Sequence, residues 1–229
     1  MVYAILALVV AYLIGSFPSA LIIGKTFKGI DIRKHGSGNL GTTNAIRILG
    51  KKLGFIVFFL DVFKGVLVVG LARILYEGFG YQIDFNHLEA LEFGLFKPFY
   101  YGVCVVFGHF FPIFANFKGG KAVATSLGIT LTFTPVPAVL CLIAFYITLK
   151  VSGYVSLAST FAILTVLISA LLQNFVFTGL GPVGIELLIF YTVISLFMII
   201  KHRKNYVRII KGTENSFKKK KESKETPEE

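Results

Sequence analysis

Residues 122–149 read AVATSLGITLTFTPVPAVLCLIAFYITL, an apolar run that contains no charged side chain. A helix needs about 20 such residues to cross a bilayer, so the run is long enough to span a membrane. Pro135 and Pro137 lie near its middle, where proline removes a backbone hydrogen bond and breaks a helix. The run therefore predicts two short or tilted membrane helices, over residues 123–133 and 136–149.

Further apolar runs flank this stretch along most of the chain. They cover residues 2–23, 53–75, 98–117, 155–172 and 185–200, and Gly15, Ser16 and Pro18 interrupt the first of them. Hydrophobic residues make up 55% of the chain and charged residues only 15%, whereas soluble domains carry about 25% charge. The pattern predicts an all-α, polytopic integral membrane protein with seven transmembrane helices.

The distribution of charge predicts the orientation. Residues 24–52 carry many lysines and arginines but only one acid, Asp31, whereas residues 76–97 carry four acids and Lys97. Because basic loops stay on the cytoplasmic side, we expect residues 24–52, residues 118–121 and the basic tail after Ile200 in the cytoplasm. This requires an odd number of spans, with the N-terminus outside and the C-terminus cytoplasmic. Seven spans satisfy it, and five would also, if the proline-broken run were one span and one other segment did not cross.

The remaining composition limits the kinds of partner and site. Membrane orientation explains most of the net charge of +11, and anionic lipid or phosphate-bearing substrates are a second explanation. No nucleic-acid-binding module is recognisable. Cys104 and Cys141 lie inside apolar runs, so neither a disulfide framework nor a metal-binding spacing is predicted. We expect a membrane-embedded domain over residues 1–214 and a charged, disordered cytoplasmic tail over residues 215–229.

The first polar motif lies between the first two apolar runs, where residues 36–44 read GSGNLGTTN and Arg47 follows. Glycines permit a tight loop that a ligand can approach closely, and hydroxyl and amide side chains add hydrogen-bond donors. Arginine offers a planar fork for a phosphate group. The stretch predicts a phosphate-binding loop, although an ordinary polar linker would share part of this composition. It is not a Walker A loop, because no Gly-x-x-x-x-Gly-Lys-Ser/Thr pattern occurs in the chain.

The second polar motif, residues 118–121, reads KGGK and follows the third apolar run, which contains His109. Lysines at the end of a span often extend to the membrane surface, so Lys118 and Lys121 alone are weak evidence of a site. Paired glycines have no part in that behaviour, and we expect Gly119 and Gly120 to turn backbone N–H groups towards an anion. His109 is either an ordinary buried histidine or a group of the same site.

Two further groups of charged residues accompany these loops. Asp61 and Lys64 lie one turn apart inside the second span, where an unpaired charge would cost about 2.5–3.5 kcal/mol, so an ion pair is predicted. The pair either braces the helix bundle or positions site residues. On a helix that continues past the last apolar run, His202, Asn205 and Arg208 would share one side. That basic segment either belongs to the site or holds anionic lipid.

Five stretches together resemble the motifs of one family. They are residues 36–47, 61–65, 108–125, 154–159 and 201–214. In this order they resemble the motifs of the bacterial acyl-phosphate-dependent glycerol-3-phosphate acyltransferases, the PlsY family, and the resemblance covers about residues 1–214. The chain departs from the family pattern at Ala122, where the family has glycine. Its outer loop and charged tail are also longer than is typical.

The resemblance implies a reaction as well as seven membrane helices. The enzyme would transfer a fatty acyl group from acyl phosphate to the 1-hydroxyl of sn-glycerol 3-phosphate, which gives 1-acyl-glycerol 3-phosphate (lysophosphatidic acid) and phosphate, in the first acylation of phospholipid synthesis. It would lie in the bacterial cytoplasmic (inner) membrane, with its active site facing the cytoplasm. Its partners would be the two substrates, membrane lipid and the enzyme that produces acyl phosphate, with no nucleic acid. No cofactor and no metal is expected.

The motifs and the resemblance give three groups of candidate site residues. The catalytic group consists of Ser37, Arg47, Lys121, His202 and Asn205. The substrate-binding or phosphate-binding group consists of Gly36, Gly38, Asn39, Gly41, Thr43, Asn44, Lys118, Gly119, Gly120, Thr125 and Arg208. The supporting group consists of Asp61, Lys64, His109 and Glu214.

Two other classes of protein share some of these features. A transporter of a phosphorylated solute also has many spans, but it usually shows inverted repeats, and none is visible in the sequence. A membrane scaffold with a lipid-binding tail would leave residues 36–47 without a role.

The mechanism expected for an acyltransferase is a direct transfer. No Ser-His-Asp set is evident in the sequence, so we expect no acyl-enzyme, with a substrate phosphate as proton acceptor and His202 as an orienting group. The acyl chain is expected to enter sideways between the helices.

Overall fold

The computed structural model describes residues 2–80, 97–176, 179 and 182–217 of the chain. Within these ranges the regular structure is helical, with no strand. The α-helices are α1 (Val2–Gly15), α2 (Ser19–Lys28), α3 (Thr42–Leu49), α4 (Lys51–Gly80), α5 (Pro98–Phe110), α6 (Val123–Phe133), α7 (Pro135–Ser152), α8 (Val155–Phe175) and α9 (Ile185–Ile210). Short 3-10 turns at Ile32–Lys34 and Ile113–Ala115 lead into the two glycine-containing motifs.

The apolar runs form the long helices, as their sequence predicts. Five helical segments of the described chain are long and apolar enough to cross a membrane, namely α4, α5 continued through the following 3-10 turn to Ala115, α7, α8 and α9. Helices α1 and α2 pass the same test only as a pair with a bend of 43° between them, which makes six candidate spans at most. The prediction of an all-α protein with several membrane-spanning helices is confirmed. The one remaining span of the seven predicted, over residues 123–133, falls on α6, whose 11 residues rise only about 16 Å, whereas the hydrocarbon core is about 30 Å thick.

The break between α6 and α7 falls where the prolines predict it. Pro135 is the first residue of α7, and Thr134 lies at the break with its hydroxyl 2.6 Å from that of Tyr191 on α9. Arg73 of α4 donates to the Thr132 carbonyl at 2.9 Å. The arginine thus supplies a donor for a carbonyl at the end of α6, which has no partner inside its own helix. The two helices predicted for this run are confirmed.

Glycines let the helices pack closely at the end of the bundle that carries the motifs. A Cβ atom at Gly15 of α1 would collide with the backbone of α5 at Val105, and one at Gly108 of α5 would collide with the backbone of α1. Cβ atoms at Gly65 of α4 and Gly128 of α6 would collide with the facing helix in the same way. Small residues allow such close approach between membrane helices. The pairs α1–α5 and α4–α6 therefore hold the two glycine-containing motifs close to one another.

The outer surface of the bundle is apolar. Phe59 and Phe63 on α4, Tyr146 and Val151 on α7 and Leu196 on α9 are each more than half exposed. A soluble protein would not present so many large apolar side chains to water. This surface is therefore suited to contact with lipid.

Some expectations from the sequence fall outside the described residues. Residues 81–96, which make up most of the acidic outer loop, are among these, and so are residues 218–229 of the charged tail. The expected disorder of the tail therefore stays a prediction.

Candidate active site

The loop over residues 36–44 is held in shape by one buried amide. Asn44 of α3 is only 2% exposed, and its Oδ1 accepts a hydrogen bond of 3.0 Å from the Ser37 backbone N–H. Its Nδ2 donates to the His35 carbonyl at 3.1 Å and to a second backbone carbonyl at 3.4 Å. Gly36 and Gly38 have φ values of 62° and 69°, which favour glycine. Asn44, expected to bind phosphate, therefore has both amide hydrogens committed to the backbone and acts on the loop.

The same loop presents other polar groups to solvent. Asn39 Oδ1 accepts a hydrogen bond of 2.8 Å from the Gly41 N–H just before α3 begins. Ser37 and Arg47 are exposed, and Thr43 is half-buried. Within the described part of the chain, the Arg47 guanidinium makes no hydrogen bond and no ion pair. We call residues 36–47 the glycine-loop wall of the site.

Leu40 joins the glycine-loop wall to the second motif. It is buried in a cluster of apolar side chains that includes Ala115, at the end of the 3-10 turn before residues 118–121. It also lines a crevice of about 10 Å³ together with Gly119 and Gly120. One apolar side chain thus brings two polar loops together that are far apart in sequence.

The glycine pair of the second motif packs against the end of α5. The Gly120 N–H donates to the His109 carbonyl at 3.2 Å, so it does not face an anion as the sequence suggested. A Cβ atom at Gly119 would collide with the backbone of α5, and one at Gly120 would collide with the His109 ring. For Gly120 the expectation of a phosphate-facing N–H is wrong, because the residue is needed for this close approach.

The loop around the glycine pair contains strained backbone. Asn116, Phe117 and Ala122 have φ values of 55°, 58° and 54°, in the left-handed region that residues other than glycine rarely adopt. Ala122 is also buried and lies directly before α6. It is the position at which the family pattern has glycine, and the positive φ is a physical reason for that preference.

Lys121 begins a chain of hydrogen bonds that crosses to α9. Its Nζ donates to Asn205 Oδ1 at 2.7 Å, and Asn205 Nδ2 donates to Glu214 Oε1 at 2.8 Å. Arg208 Nε donates to Glu214 Oε2 at 2.6 Å, with the arginine side chain 42% exposed and the glutamate 8% exposed. We call these four residues and His202 the Lys121 wall of the site.

Burial changes the acidity of the lysine in this wall. The pKa of Lys121 is lowered to about 8, mainly by desolvation; the nearby cations of Arg208 and Lys201 contribute to the lowering, and Glu214 opposes it. A lysine with such a pKa is mostly charged at neutral pH and loses its charge in mildly alkaline solution. Phosphate binding to Lys121 would therefore depend on pH.

His202 is oriented by its own helix. Helix α9 continues beyond the apolar run to Ile210 and so carries His202 and Asn205 on successive turns. His202 is buried, and its Nδ1 lies 2.8 Å from the Met198 carbonyl oxygen one turn earlier. A carbonyl can only accept, so Nδ1 carries the hydrogen and Nε2 of the neutral ring has a lone pair.

Two hydroxyl groups follow Lys121 on the first turn of α6. The hydroxyl oxygens of Thr125 and Ser126 are buried and form no hydrogen bond within the described ranges. A buried hydroxyl without a partner costs free energy, which binding of a polar ligand would recover. Thr125 was expected among the phosphate-binding residues, and its hydroxyl is available for that role.

An apolar cavity of about 100 Å³ begins beside the Lys121 wall. Val123 and Ala124, which lie two and three residues after Lys121, line it together with Met198, whose carbonyl holds His202. Leu142 of α7 also lines the cavity and is 42% exposed on the outer surface. The cavity is therefore lined both by residues next to the Lys121 wall in the chain or in α9 and by a residue of the surface that lipid would cover.

The predicted intramembrane ion pair is present. Lys64 Nζ lies 2.9 Å from Asp61 Oδ1, and both side chains are buried. Ser19 of α2 donates to the same carboxylate oxygen at 2.8 Å, and His109 Nδ1 lies 2.8 Å from Lys64 Nζ. The cluster joins α2, α4 and α5 behind the 118–121 loop.

Sequence reasoning missed two residues that the structure brings to this region. Ser19 was missed because a serine next to a proline in a broken span gives no chemical signal of its own. Lys201 was assigned only to the basic tail, yet its Nζ lies 5.2 Å from the centre of the Phe197 ring and 5.7 Å from that of Phe111. Its position one residue before His202 was the available signal.

The family model for glycerol-3-phosphate acyltransferases matches residues 5–212 of the chain. The chain is 43% identical to the glycerol-3-phosphate acyltransferase of Bacillus subtilis (strain 168) over 213 residues, which are 93% of this chain and 97% of that protein. It is 40% identical to the glycerol-3-phosphate acyltransferase of Staphylococcus aureus (strain Newman) over 215 residues, which are 93% of this chain and 98% of that protein.

The fold is similar to two crystal structures of PlsY (YgiH), described as an integral membrane glycerol 3-phosphate acyltransferase. The glycerol 3-phosphate form superposes with a TM-score of 0.76 at 34% sequence identity. The lysophosphatidic acid form superposes with a TM-score of 0.73 at 33% identity. Each superposition covers 94% of this chain and 96% of the other.

Proposed function

The chain belongs to the glycerol-3-phosphate acyltransferase family, and we propose that it uses acyl phosphate as its acyl donor. It is an integral membrane enzyme that acylates glycerol 3-phosphate in the first step of phospholipid synthesis. In the proposed reaction the acyl group passes to the 1-hydroxyl of glycerol 3-phosphate, and the products are lysophosphatidic acid and phosphate.

The observation that carries this proposal is the junction of a polar wall with an apolar cavity. Lys121 and the cavity-lining Val123 and Ala124 are almost consecutive in the chain, and Met198 belongs to both regions through its carbonyl and its side chain. A fatty acyl phosphate has the same two parts, an apolar chain and an anionic head. Its reactive carbonyl would lie where the cavity meets the wall.

Two phosphates explain the number of cationic groups around the junction. Arg47 and Lys118 are exposed and Lys121 is half-buried, and Lys201 acts electrostatically on Lys121. Acyl phosphate and glycerol 3-phosphate each bring a phosphate group, and binding both in one place requires cations to offset their repulsion. Charged donors such as arginine and lysine bind phosphate with short, strong hydrogen bonds.

The proposed step is a direct displacement at the acyl carbon. The 1-hydroxyl oxygen forms a bond to that carbon, the bond from the carbon to the phosphate oxygen breaks, and the hydroxyl proton is transferred to a phosphate oxygen. His202 Nε2, which has a lone pair because Nδ1 is bound to Met198, accepts the hydrogen bond of the 1-hydroxyl in the substrate complex and so orients its oxygen. As the new bond forms, that hydrogen leaves Nε2 and passes to the phosphate oxygen. Lys121 stabilises the charge that develops on the leaving phosphate, and Arg47 holds the phosphate of glycerol 3-phosphate.

An acyl-enzyme has no support in the side-chain contacts. The side-chain hydrogen bonds of the two buried histidines go to Lys64 for His109 and to the Met198 carbonyl for His202, and neither partner is a serine or cysteine that such a base would activate. Rapid quenching of the enzyme with radiolabelled acyl phosphate tests this point. We expect no label on the protein, and a covalently acylated Ser37 would overturn direct transfer.

We also propose seven crossings, with the N-terminus outside and the active site facing the cytoplasm of a bacterial cell. Helix α6 supports this because it starts beside Lys121 and ends where Arg73, far along α4, contacts Thr132. Accessibility labelling of single cysteines at residues 3 and 211 in intact cells tests the orientation. Labelling of residue 211 from outside would contradict it.

The donor is tested with purified enzyme in nanodiscs, by comparing acyl phosphate with acyl-CoA of the same chain length. We expect lysophosphatidic acid to form from acyl phosphate and glycerol 3-phosphate, and only background amounts from acyl-CoA. Equal rates with both donors would overturn the proposed donor and leave the family activity in place. The enzyme that makes acyl phosphate is the expected supplier of the substrate.

A further inference from the structure

The hydrogen bonds of Lys64 determine the state of a neighbouring histidine. Its Nζ lies 2.9 Å from Asp61 Oδ1, 2.8 Å from His109 Nδ1 and 3.3 Å from the Phe17 carbonyl oxygen. An ammonium group has three N–H donors and no acceptor, so each of these three atoms receives one hydrogen. His109 Nδ1 is therefore an acceptor, and the neutral ring carries its hydrogen on Nε2.

His109 and His202 are thus held in opposite tautomers. His202 donates from Nδ1 to the Met198 carbonyl, which leaves a lone pair on Nε2. His109 accepts at Nδ1 from Lys64, which leaves an N–H on Nε2. The first ring offers an acceptor at its outer nitrogen, and the second offers a donor.

The Nε2 of His109 faces the 118–121 loop. A Cβ atom on Gly120 would collide with Nε2, so this nitrogen lies directly against the loop. The ring also lines the crevice of about 10 Å³ that Leu40, Gly119 and Gly120 border. A space of this volume holds about one oxygen atom of a water or a ligand. No atom of the described residues accepts a hydrogen bond from Nε2.

We propose that the Asp61–Lys64 ion pair fixes His109 as the Nε2–H tautomer, and that this N–H donates to an oxygen atom seated in the crevice between the glycine-loop wall and residues 118–121. The oxygen belongs either to the phosphate of glycerol 3-phosphate or to a water that bridges to it. His109 is thereby a positioning residue for glycerol 3-phosphate. This role of His109 rests on the proposed function. The intramembrane ion pair acts on the site through the tautomer that it selects.

Two amide substitutions separate this role from a structural one. A glutamine amide reaches the place of Nε2, so His109→Gln keeps a donor towards the crevice and loses the acceptor for Lys64. An asparagine amide reaches the place of Nδ1, so His109→Asn keeps the acceptor for Lys64 and loses the donor. We expect His109→Gln to hold the KM for glycerol 3-phosphate within about threefold and His109→Asn to raise it at least about tenfold, the range for a lost hydrogen bond to a charged group. A purely structural role predicts the reverse order, and that order would overturn the proposal.

Nitrogen NMR of the wild-type enzyme in nanodiscs tests the tautomer directly. The chain has four histidines, and the spectrum of His109→Gln assigns the signal of His109. We expect a proton on Nε2 and a lone pair on Nδ1, and the opposite assignment would overturn the proposal whether or not the enzyme is active. If the Nε2 chemical shift of His109 changes on addition of glycerol 3-phosphate, the acceptor is a phosphate oxygen. If this chemical shift does not change, the acceptor is the water. Absence of acyl transfer would count against the proposed function alone.

Discussion

The two walls of the site differ in how their charged groups are held. In the glycine-loop wall, the buried Asn44 fixes the backbone, while Arg47 and Ser37 remain exposed and the arginine has no partner among the described residues. In the Lys121 wall the charged side chain itself is fixed, because Lys121 is hydrogen-bonded to Asn205, and Asn205 is in turn hydrogen-bonded to Glu214.

This difference indicates that the two walls have different roles in catalysis. Donors that are fixed and partly buried stabilise developing charge well, because they need little rearrangement during the reaction. An exposed arginine is suited to capturing a phosphate from water and closing on it. We therefore expect the Lys121 wall to contribute mainly to the rate of transfer and the glycine-loop wall mainly to substrate binding.

The largest effect should come from removing the half-buried Lys121. We expect Lys121→Ala to lower kcat by about 10²–10³-fold, the range for loss of one fixed donor to developing charge. Steady-state phosphate release measures it, with Lys118→Ala as the matched control, since that lysine is exposed. An effect of Lys118→Ala as large as that of Lys121→Ala would contradict the distinction between the half-buried, hydrogen-bonded lysine and the exposed one.

Removing the exposed arginine should act on binding. We expect Arg47→Ala to raise the KM for glycerol 3-phosphate by about 10–100-fold, because a charge-assisted hydrogen bond contributes about 1.5–3 kcal/mol. The same substrate titration with Arg47→Lys should give an intermediate KM, because charge is kept while the planar fork is lost. If Arg47→Ala lowered kcat and left KM unchanged, the glycine-loop wall would not act mainly in substrate binding.

The pH dependence should follow the lysine. Burial lowers the pKa of Lys121 to about 8, so the charged fraction falls as the pH rises through that value. We expect kcat/KM for glycerol 3-phosphate to decline above pH of about 8, and to be about tenfold lower one unit above it. In Lys121→Arg, whose guanidinium stays charged, any remaining activity should show no decline in this range. A decline that persists in this variant would assign the titration to another group.

Filling the apolar cavity should change the choice of acyl chain. Ala162 of α8 is buried and lines the cavity, so Ala162→Leu would occupy space that the end of a chain needs. We expect the ratio of kcat/KM for long over short acyl phosphates to fall about five- to tenfold, because each methylene excluded from an apolar site costs about 0.8 kcal/mol. The control is Ala144→Leu, because Ala144 lies on α7 and does not line the cavity. An unchanged ratio in Ala162→Leu would remove the cavity from the proposed function.

The smallest effect should come from relieving backbone strain. Ala122 has a φ of 54°, which costs about 1–2 kcal/mol for a residue with a side chain, while its buried methyl group contributes about 0.8 kcal/mol. We expect Ala122→Gly to change the thermal unfolding midpoint by a few degrees at most and kcat by less than about twofold. A loss of activity above tenfold would show that the methyl group itself shapes the site.

Much of the fold could be predicted from local patterns in the sequence. Apolar runs of sufficient length predict the membrane helices, and Pro135 predicts the start of α7 to within a residue. The length of α6 could not be turned into a number of crossings, because the effect of so short a helix depends on the residues that cover its end, which here are Arg73 and Tyr191. Such contacts depend on packing between helices and leave no local signal.

The site was predictable by residue type more than by role. The motifs identified Lys121, His202 and Asn205, which the structure brings together. The roles of Asn44 and Gly120 were not readable, because a polar side chain or a backbone N–H serves the fold or a ligand according to its neighbours in space. The tautomers of the two histidines depend on Lys64 and Met198, and only the folded structure shows which atoms those residues present.

The most direct test of the central claim measures both products in one assay. Purified enzyme in nanodiscs is given acyl phosphate and glycerol 3-phosphate, and the amounts of phosphate released and lysophosphatidic acid formed are compared over time. The account predicts equal amounts at every time point and no phosphate release when glycerol 3-phosphate is left out. Phosphate release that does not need glycerol 3-phosphate, or that exceeds the lysophosphatidic acid formed, would contradict a site in which the two walls hold both substrates for one direct transfer.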